Sequence, residues 1–210
     1  MQIVDTSFFI NELYIPLAVA TVSGSVSTTT PNNNGVLNSL IIEVEKDILL
    51  NALGLTNYNL LQTALVDLPN ADQKWKDLVN GKDYGDYQWE GLNSPKGCLV
   101  YAVYYTFIHQ NAEQLTAIGV TKVNSENAVN VSPFAKLANS WQKFTNKYQG
   151  GCLLNPLTSM SVDYSFVDWY GTQENVQRSL YQYLNDNAVT YGFDASKFQT
   201  FDDNVNSFGL

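Results

Sequence analysis

The segment from Ser94 to Gln114 constrains the fold more than any other part of the 210-residue sequence. Ser94 and Pro95 form a helix-start signal, with an N-cap residue followed by proline at the first helical position. The residues from Cys98 to Ile108 are apolar on nearly every side of the helix that follows. Because a helix without a polar face is surrounded by other elements, the sequence predicts a central core helix here.

Shorter helices are predicted on both sides of this core helix. Apolar stripes with helical spacing predict helices over 37–53, 57–68 and 72–80, which end at Gly54, Pro69 and Gly81. Another helix is expected to follow Ser132 and Pro133, and a last one to begin at Thr172 and run to Asn187. On the first of these helices, Glu43, Glu45 and Asp47 are expected on the faces away from the apolar stripe.

Two stretches between the helices favour small β insertions. Residues 82–93 alternate aromatic and polar types with glycines between them, a pattern that favours a hairpin or an ordered loop. Residues 119–131 are polar and turn-rich and contain short β-type pieces. The predicted fold class is therefore mainly α, with a compact core of about six helices, small β insertions and extended termini.

The predicted organisation has three parts. Residues 1–35 form an extended N-terminal arm and a polar loop, since 23–35 is rich in Ser, Thr and Asn. Residues 36–192 form the helical core domain, and 193–210 form a docking tail with widely spaced phenylalanines. The arm either packs on another molecule or forms a first strand in the sheet of its own domain.

Charge excludes several functional classes. The chain has 20 acidic and 11 basic residues, a formal charge of −9, and Arg178 is its single arginine. A nucleic-acid clamp needs clustered guanidinium groups, so sequence-reading nucleic-acid binders are disfavoured. No glycine-rich phosphate loop is present either.

Catalytic equipment is sparse in the sequence. His109 is the single histidine, and Cys98 and Cys152 lie too far apart in the chain for metal-ligand spacing. One disulfide between them is an option, although reduced core thiols are favoured. We therefore predict a protein that is not an enzyme and has no cofactor or metal. It is expected to be made inside a cell, without a signal peptide or membrane span.

Two clusters of acids and aromatics support an alternative function. The first combines Asp83, Asp86 and Glu90 with Tyr84, Tyr87 and Trp89, and the second contains Asp163, Asp168, Trp169 and Tyr170. Carboxylates beside stacking aromatics are typical of a carbohydrate-binding or glycan-processing module. The same residues are equally typical of aromatic packing at the rim of a core with acids facing water.

Several segments resemble one family of viral proteins. They are Glu12 to Pro16, Leu40 to Gly54, Tyr58 to Leu61, Lys76 to Tyr84, Trp89 to Leu92, Tyr101 to Phe107, Glu126 to Ala128 and Tyr181 to Leu184. Together they resemble the head–tail connector (adaptor or ring) proteins of tailed phages, above all those of crAss-like phages of Bacteroidales. The Ser/Thr/Asn-rich segment at 23–35 is longer than the family pattern.

The resemblance implies a structural virion protein without catalytic residues, assembled in the host cytoplasm. Such proteins form a ring, often a dodecamer, between the portal protein and the neighbouring tail or ring proteins, and DNA passes through without specific binding. An acidic wall suits that channel, because it does not attract a polyanion. We expect the inter-subunit contacts at the apolar residues of both termini. They are Phe8, Phe9, Ile10, Leu13, Tyr14, Ile15, Phe198, Phe201 and Phe208.

Overall fold

The computed structural model describes residues 2–15, 33–111, 114–116, 119–121, 134–150 and 177–201. Over these ranges the chain is mainly helical with two small hairpins, which confirms the predicted fold class. The helices are α1 (Asn33–Val66), α2 (Gln73–Asn80), α3 (Cys98–Asn111), α4 (Phe134–Tyr148), α5 (Leu180–Asp186) and α6 (Ala188–Tyr191). The strands are β1 (Lys82–Tyr84), β2 (Tyr87–Trp89), β3 (Gln114–Thr116) and β4 (Gly119–Thr121).

Helix α1 is broken at the glycine that was expected to end the first predicted helix. Gly54 has φ 70° and ψ 165°, a non-helical conformation inside a 34-residue element. A side chain would be strained at this φ, so glycine sets the position of the break. The two helices predicted on either side of Gly54 are therefore the two halves of α1.

Helix α3 is the centre of the fold, as its apolar sequence predicts. Every residue from Cys98 to Tyr104 is buried, and α3 packs against both α1 and α4. The helix begins at Cys98 rather than at Pro95, because the amide of Gly97 donates to the carbonyl of Ser94 in a turn before the helix.

The predicted hairpin at 82–93 is present as β1 and β2. The strands are antiparallel, with Lys82 opposite Trp89 and Tyr84 opposite Tyr87. Gly81 and Gly91 flank the hairpin, and a Cβ atom at Gly91 would lie 2.5 Å from the backbone nitrogen of Gly81. Two chain segments therefore cross at a distance that only glycine permits. The second hairpin pairs β3 with β4.

The last helical region starts later than predicted. Helix α5 begins after Ser179, whose hydroxyl accepts from the amide of Gln182 while the Gln182 side chain accepts from the amide of Ser179. This capping box satisfies two free amides at the helix start. The predicted cap at Thr172 lies outside the described residues.

One hydrophobic cluster joins the parts of the chain. It contains arm residues from Ile3 to Ile15, the inward faces of α1 to α5, and Phe193 after α6. Trp89 is buried in it and stacks on Tyr183 with ring centroids 5.2 Å apart. The described parts of the predicted arm and tail therefore share one core with the helical domain.

Candidate functional site

The predicted interface residues of the arm separate into two sets. The arm contains two single 3-10 turns, Thr6–Phe8 and Asn11–Leu13, where the sequence predicted an extended segment. Phe9, Leu13 and Ile15 are buried in the chain's own core, and Phe8 is partly buried against it. Ile10 and Tyr14 are 58% and 49% exposed. Of the interface residues predicted in the described arm, Ile10 and Tyr14 are therefore the exposed ones that another molecule could contact.

A buried carboxylate holds the start of the arm. The two carboxylate oxygens of Glu45 each lie 3.1 Å from the amide of Ile3, and Oε1 also accepts from the amide of Val4 at 2.5 Å. Glu45 is only 4% exposed, so its expected position on an outer face of the helix is wrong. The sequence spacing could have predicted the face on which Glu45 lies, because Ile41, Glu45 and Ile48 share one side of the helix.

The environment of Glu45 disfavours its charged form. Burial raises the pKa of Glu45 to about 7, although the amides of Val4 and Ile3 act in the opposite direction. Desolvation penalises the carboxylate more than two backbone hydrogen bonds favour it. The start of the arm is thus attached through a group that titrates near neutral pH.

A second anchor holds the end of the arm. The hydroxyl of Tyr101 on α3 donates to one oxygen of Glu12 at 3.0 Å, and Nζ of Lys143 on α4 donates to the other at 3.2 Å. Lys96 lies 3.9 Å from the same carboxylate. The Tyr101 hydrogen bond, followed by that of Lys143, lowers the pKa of Glu12. This anchor is therefore an ion pair near the surface, unlike the buried one at Glu45.

The described tail residues also dock on the chain's own core. Phe201 packs edge-on against Phe144, and Phe198 lies over Tyr148 with centroids 4.6 Å apart. Gln149 forms a reciprocal pair with Phe201, accepting from its amide at 2.8 Å and donating to its carbonyl at 3.0 Å. Phe198 and Phe201 thus contact α4 and α5 of their own chain, and Phe208 lies outside the described residues.

The acid–aromatic cluster at 83–90 is used in packing. The indole of Trp89 donates to the carbonyl of Leu78 at 3.0 Å, and the hydroxyl of Tyr84 donates to Asp186 at 3.0 Å. Glu90 pairs with Lys147 at 2.6 Å. The second cluster, Asp163 to Tyr170, lies outside the described residues.

Beside this cluster lies a cleft of about 250 Å³ that is lined by several charged side chains. Glu90, Lys143, Lys147 and Arg178 line it. The guanidinium of Arg178 covers the ring of Tyr87 at 3.4 Å, and its Nε lies 3.2 Å from Asp186. Since these cations already face carboxylates, the cleft has little net charge for an anionic ligand.

The candidate nucleophile and base are not assembled into a site. Cys98 is fully buried, and burial raises the pKa of its thiol to about 12, which suppresses the reactive thiolate. His109 is exposed at the other end of α3 and stacks on Tyr105 with centroids 5.9 Å apart. Cys152 lies outside the described residues.

The carboxylates of α1 do not form a metal site in the described part of the chain. Glu43 and Asp47 are exposed, and they line a groove of about 370 Å³ with Leu40 and Phe201. Within the described ranges, no three His, Cys, Asp or Glu side chains are placed to hold a metal ion. Of the described helices, none combines the length and apolar composition needed to cross a bilayer.

One polar cluster has no counterpart in the sequence reasoning. Asp77 is buried on α2, where Nζ of Lys82 lies 2.8 Å away and the hydroxyl of Tyr191 also donates to it. Lys82 also donates to Tyr191 at 2.6 Å. These contacts lower the pKa of Asp77 against the effect of burial. The cluster ties α2, β1 and α6 together, and no motif in the sequence marks it.

Comparison with known proteins provides one match. The model of a family of unknown function, DUF6712, matches residues 52–150. This range runs from the middle of α1 to the end of α4, and it includes α3 but neither terminal segment. No curated protein and no solved structure matches the chain.

Proposed function

We propose that this chain is a structural protein that works through protein–protein interfaces, as a subunit of a ring at the head–tail junction of a phage particle. The observation that carries the proposal is the arm. It is anchored to the helical core at both ends, yet it leaves Ile10 and Tyr14 exposed. Exposed apolar side chains on an ordered surface segment are suited to contact with another protein.

The use of the ionisable groups supports a structural role. Glu45, Asp77 and Glu90 bind backbone amides or basic side chains that connect separate elements of the fold. Catalytic groups, in contrast, converge on a position that a substrate can reach. These three carboxylates therefore connect elements of the fold rather than converge on a common site, and we propose no enzymatic activity for the chain.

The charge of the chain is consistent with a wall around DNA. The formal charge is −9, and five basic residues of the described ranges form ion pairs with carboxylates: Lys82, Lys96, Lys143, Lys147 and Arg178. Such a surface has little affinity for a polyanion, because nucleic-acid binding depends on cations that neutralise phosphates. DNA would pass through the ring without specific binding.

The proposed partners are further copies of the chain, the portal protein and the neighbouring tail or ring proteins. Head-to-tail contacts between identical subunits close into a ring when the rotation between them permits it. Twelve copies are expected from the resemblance to phage connectors. The proposed location is the virion, after assembly in the host cytoplasm.

Mass spectrometry of purified phage particles tests this function. We expect peptides of the chain in the particles, in a constant ratio to the portal protein across independent preparations. Absence of the chain from intact particles that contain the portal would contradict the proposal. Solution mass is a weaker test, since a ring subunit can remain monomeric until it meets the portal.

The glycan alternative receives no support from the described residues. One face of Trp89 is covered by Tyr183, and its indole nitrogen is already used by Leu78. A sugar-binding tryptophan needs an accessible ring face. We therefore do not propose a glycan site at the 83–90 cluster.

A further inference from the structure

We propose that the arm, residues 2–15, is exchanged between copies of the chain, so that the arm of one copy occupies the socket of the next. The socket is the surface of the core that the arm contacts, with Glu45, Tyr101 and Lys143 as its polar members. The proposal rests on the proposed function, because a ring supplies the neighbouring copy.

The arm carries all of its own recognition groups. Its two ends are held by polar contacts, at Glu45 for Ile3 and Val4, and at Tyr101 and Lys143 for Glu12. Phe9, between these anchors, and Leu13, directly after the second one, are buried. Since these contacts come from residues 2–15 and the core alone, the socket of an identical copy offers the same contacts.

The chain between the arm and α1 is long enough to reach a second socket. Residues 16–32 join the two, and this stretch of 17 residues contains no charged side chain and seven Ser or Thr residues. Fully extended, 17 residues cover at most ~60 Å. That reach is comparable with the size of a small domain, so its length permits docking on the same copy or on a neighbour.

The arm docks either on its own copy or on a neighbouring copy, and the balance between the two depends on the local concentration of each socket. Exchange retains every arm contact, so the two arrangements differ mainly in the entropy of the connection. A connection of this length in sequence keeps the arm's own socket at an effective concentration in the millimolar range. In a ring, the neighbour's socket is held at a similar concentration, and exchange then becomes competitive.

The exposed residues of the arm add a reason for exchange. Ile10 and Tyr14 lie on the outer side of an arm whose other large apolar residues are at least partly buried. An exchanged arm lies at the boundary between two copies, with its inner side on the copy that provides the socket and its outer side towards the copy that donates the arm. Contact between that second copy and Ile10 and Tyr14 would remove apolar surface from water that the unexchanged arm leaves exposed.

Cross-linking of two single-cysteine variants tests the exchange. Glu12→Cys and Lys143→Cys replace the two residues of the ion pair that joins arm and core. Because cysteine is shorter than both residues, the two thiols are joined by a bifunctional maleimide rather than by a direct disulfide. Both full-length chains also carry Cys98→Ala and Cys152→Ser, because the native thiol of Cys98 lies within electrostatic range of Glu90 and Lys147, the control positions used below. The two variants are co-expressed with the portal protein, on which the proposed ring assembles, and one of them carries a distinguishing tag. The assemblies are then treated with the cross-linker, and any link between positions 12 and 143 must join two chains.

A matched pair within the core provides the control. Glu90→Cys and Lys147→Cys, co-expressed in the same way, replace an ion pair of 2.6 Å that involves no arm residue. We expect the 12–143 pair to give at least five times more linked dimer than the 90–147 pair, with the linkage identified by mass spectrometry. A double variant, Glu12→Cys with Lys143→Cys in one chain, reports the docked arm directly.

Two outcomes overturn the exchange. In the first, the double variant links within one chain while the co-expressed 12–143 pair gives no more dimer than the 90–147 control. In the second, the double variant does not link at all, which means that the arm does not occupy this socket. Both results are independent of the virion test, since a chain with an unexchanged arm can still be present in particles.

Discussion

The two terminal segments dock on the same core by different chemistry. The arm is held by carboxylates, through Glu45 at its start and Glu12 at its end. The described part of the tail, residues 193–201, is held by edge-on and tilted contacts between aromatic rings and by the neutral side chain of Gln149. The attachment of the arm therefore depends on pH and salt, while that of the tail depends on packing. This difference makes the arm the segment whose docking solution conditions can alter.

The largest expected change in the free energy of unfolding comes from removing an aromatic ring against which the tail packs. Phe144→Ala should lower the free energy of unfolding by roughly 3–5 kcal/mol, because it removes a buried ring between Tyr148 and Phe201 and leaves a cavity. Urea denaturation measures the change. The control is Phe134→Ala on the same helix, where the ring is 49% exposed and we expect a change below about 0.5 kcal/mol. Equal losses in the two variants would mean that the tail does not pack on Phe144.

The next effect is a pH dependence specific to the arm. The folded-state pKa of Glu45 is raised to about 7 from 4.5, so the folded protein binds more protons than the unfolded chain between these values. The contribution of Glu45 to stability is therefore fully present below about pH 4.5 and is lost as the pH rises through about 7, by an amount on the order of 3 kcal/mol.

Glu45→Gln removes this titration. The free energy of unfolding of the variant, relative to the natural chain, should increase between pH 4.5 and pH 7 and stay constant above that range. Glu43→Gln, at an exposed position two residues earlier, is the control and should give a flat difference. A difference that decreases with pH would show that the amides of Ile3 and Val4 favour the charged carboxylate more than burial penalises it.

A smaller effect is expected from the neutral anchor of the tail. Gln149→Ala should lower the free energy of unfolding by about 1–3 kcal/mol, because the part-buried amide and carbonyl of Phe201 lose their side-chain partner. Hydrogen exchange of the Phe201 amide should become faster, and exchange in the arm should not change. Gln142→Ala, at an exposed position of α4, is the control with no expected effect. Unchanged exchange at Phe201 would show that the aromatic contacts alone hold the tail.

The smallest effect is expected at the outer anchor of the arm. Glu12→Gln should cost less than about 1 kcal/mol, since the Glu12 side chain is 46% exposed and ion pairs near the surface are screened. Arm amides from Asn11 to Tyr14 should exchange faster in low salt, and added salt should bring the natural chain closer to the variant. If hydrogen exchange of the tail amides accelerates by the same factor in Glu12→Gln, the arm and the tail are not held independently.

Much of the fold followed from local sequence patterns. The burial of α3 was predictable because its sequence has no polar face. The break in α1 was predictable because Gly54 interrupts an apolar stripe, and the β1–β2 hairpin because aromatic and polar residues alternate around Gly85. These features depend on side chains close in sequence. The late start of α5 was not predicted, although Ser179 and Gln182 carry a capping-box pattern.

The interface predictions show where sequence patterns stop being informative. The arm is rich in large apolar residues, but that composition is the same whether it covers its own core or another protein. The structure places Phe9, Leu13 and Ile15 in the core and leaves Ile10 and Tyr14 outside. The sequence could not distinguish the buried from the exposed residues of the arm, because its two 3-10 turns interrupt any regular spacing of inward-facing side chains.

The sequence therefore determined which segments become helices and that α3 lies at the centre, because periodicity and helix-start signals act within a few residues. Tertiary structure decided the roles of the charged and terminal residues. Glu45 is buried because the arm covers it, and Asp77 because Lys82 and Tyr191 meet there from distant parts of the chain. Burial of a charge is settled by its partners, and those partners are brought together only by the folded chain.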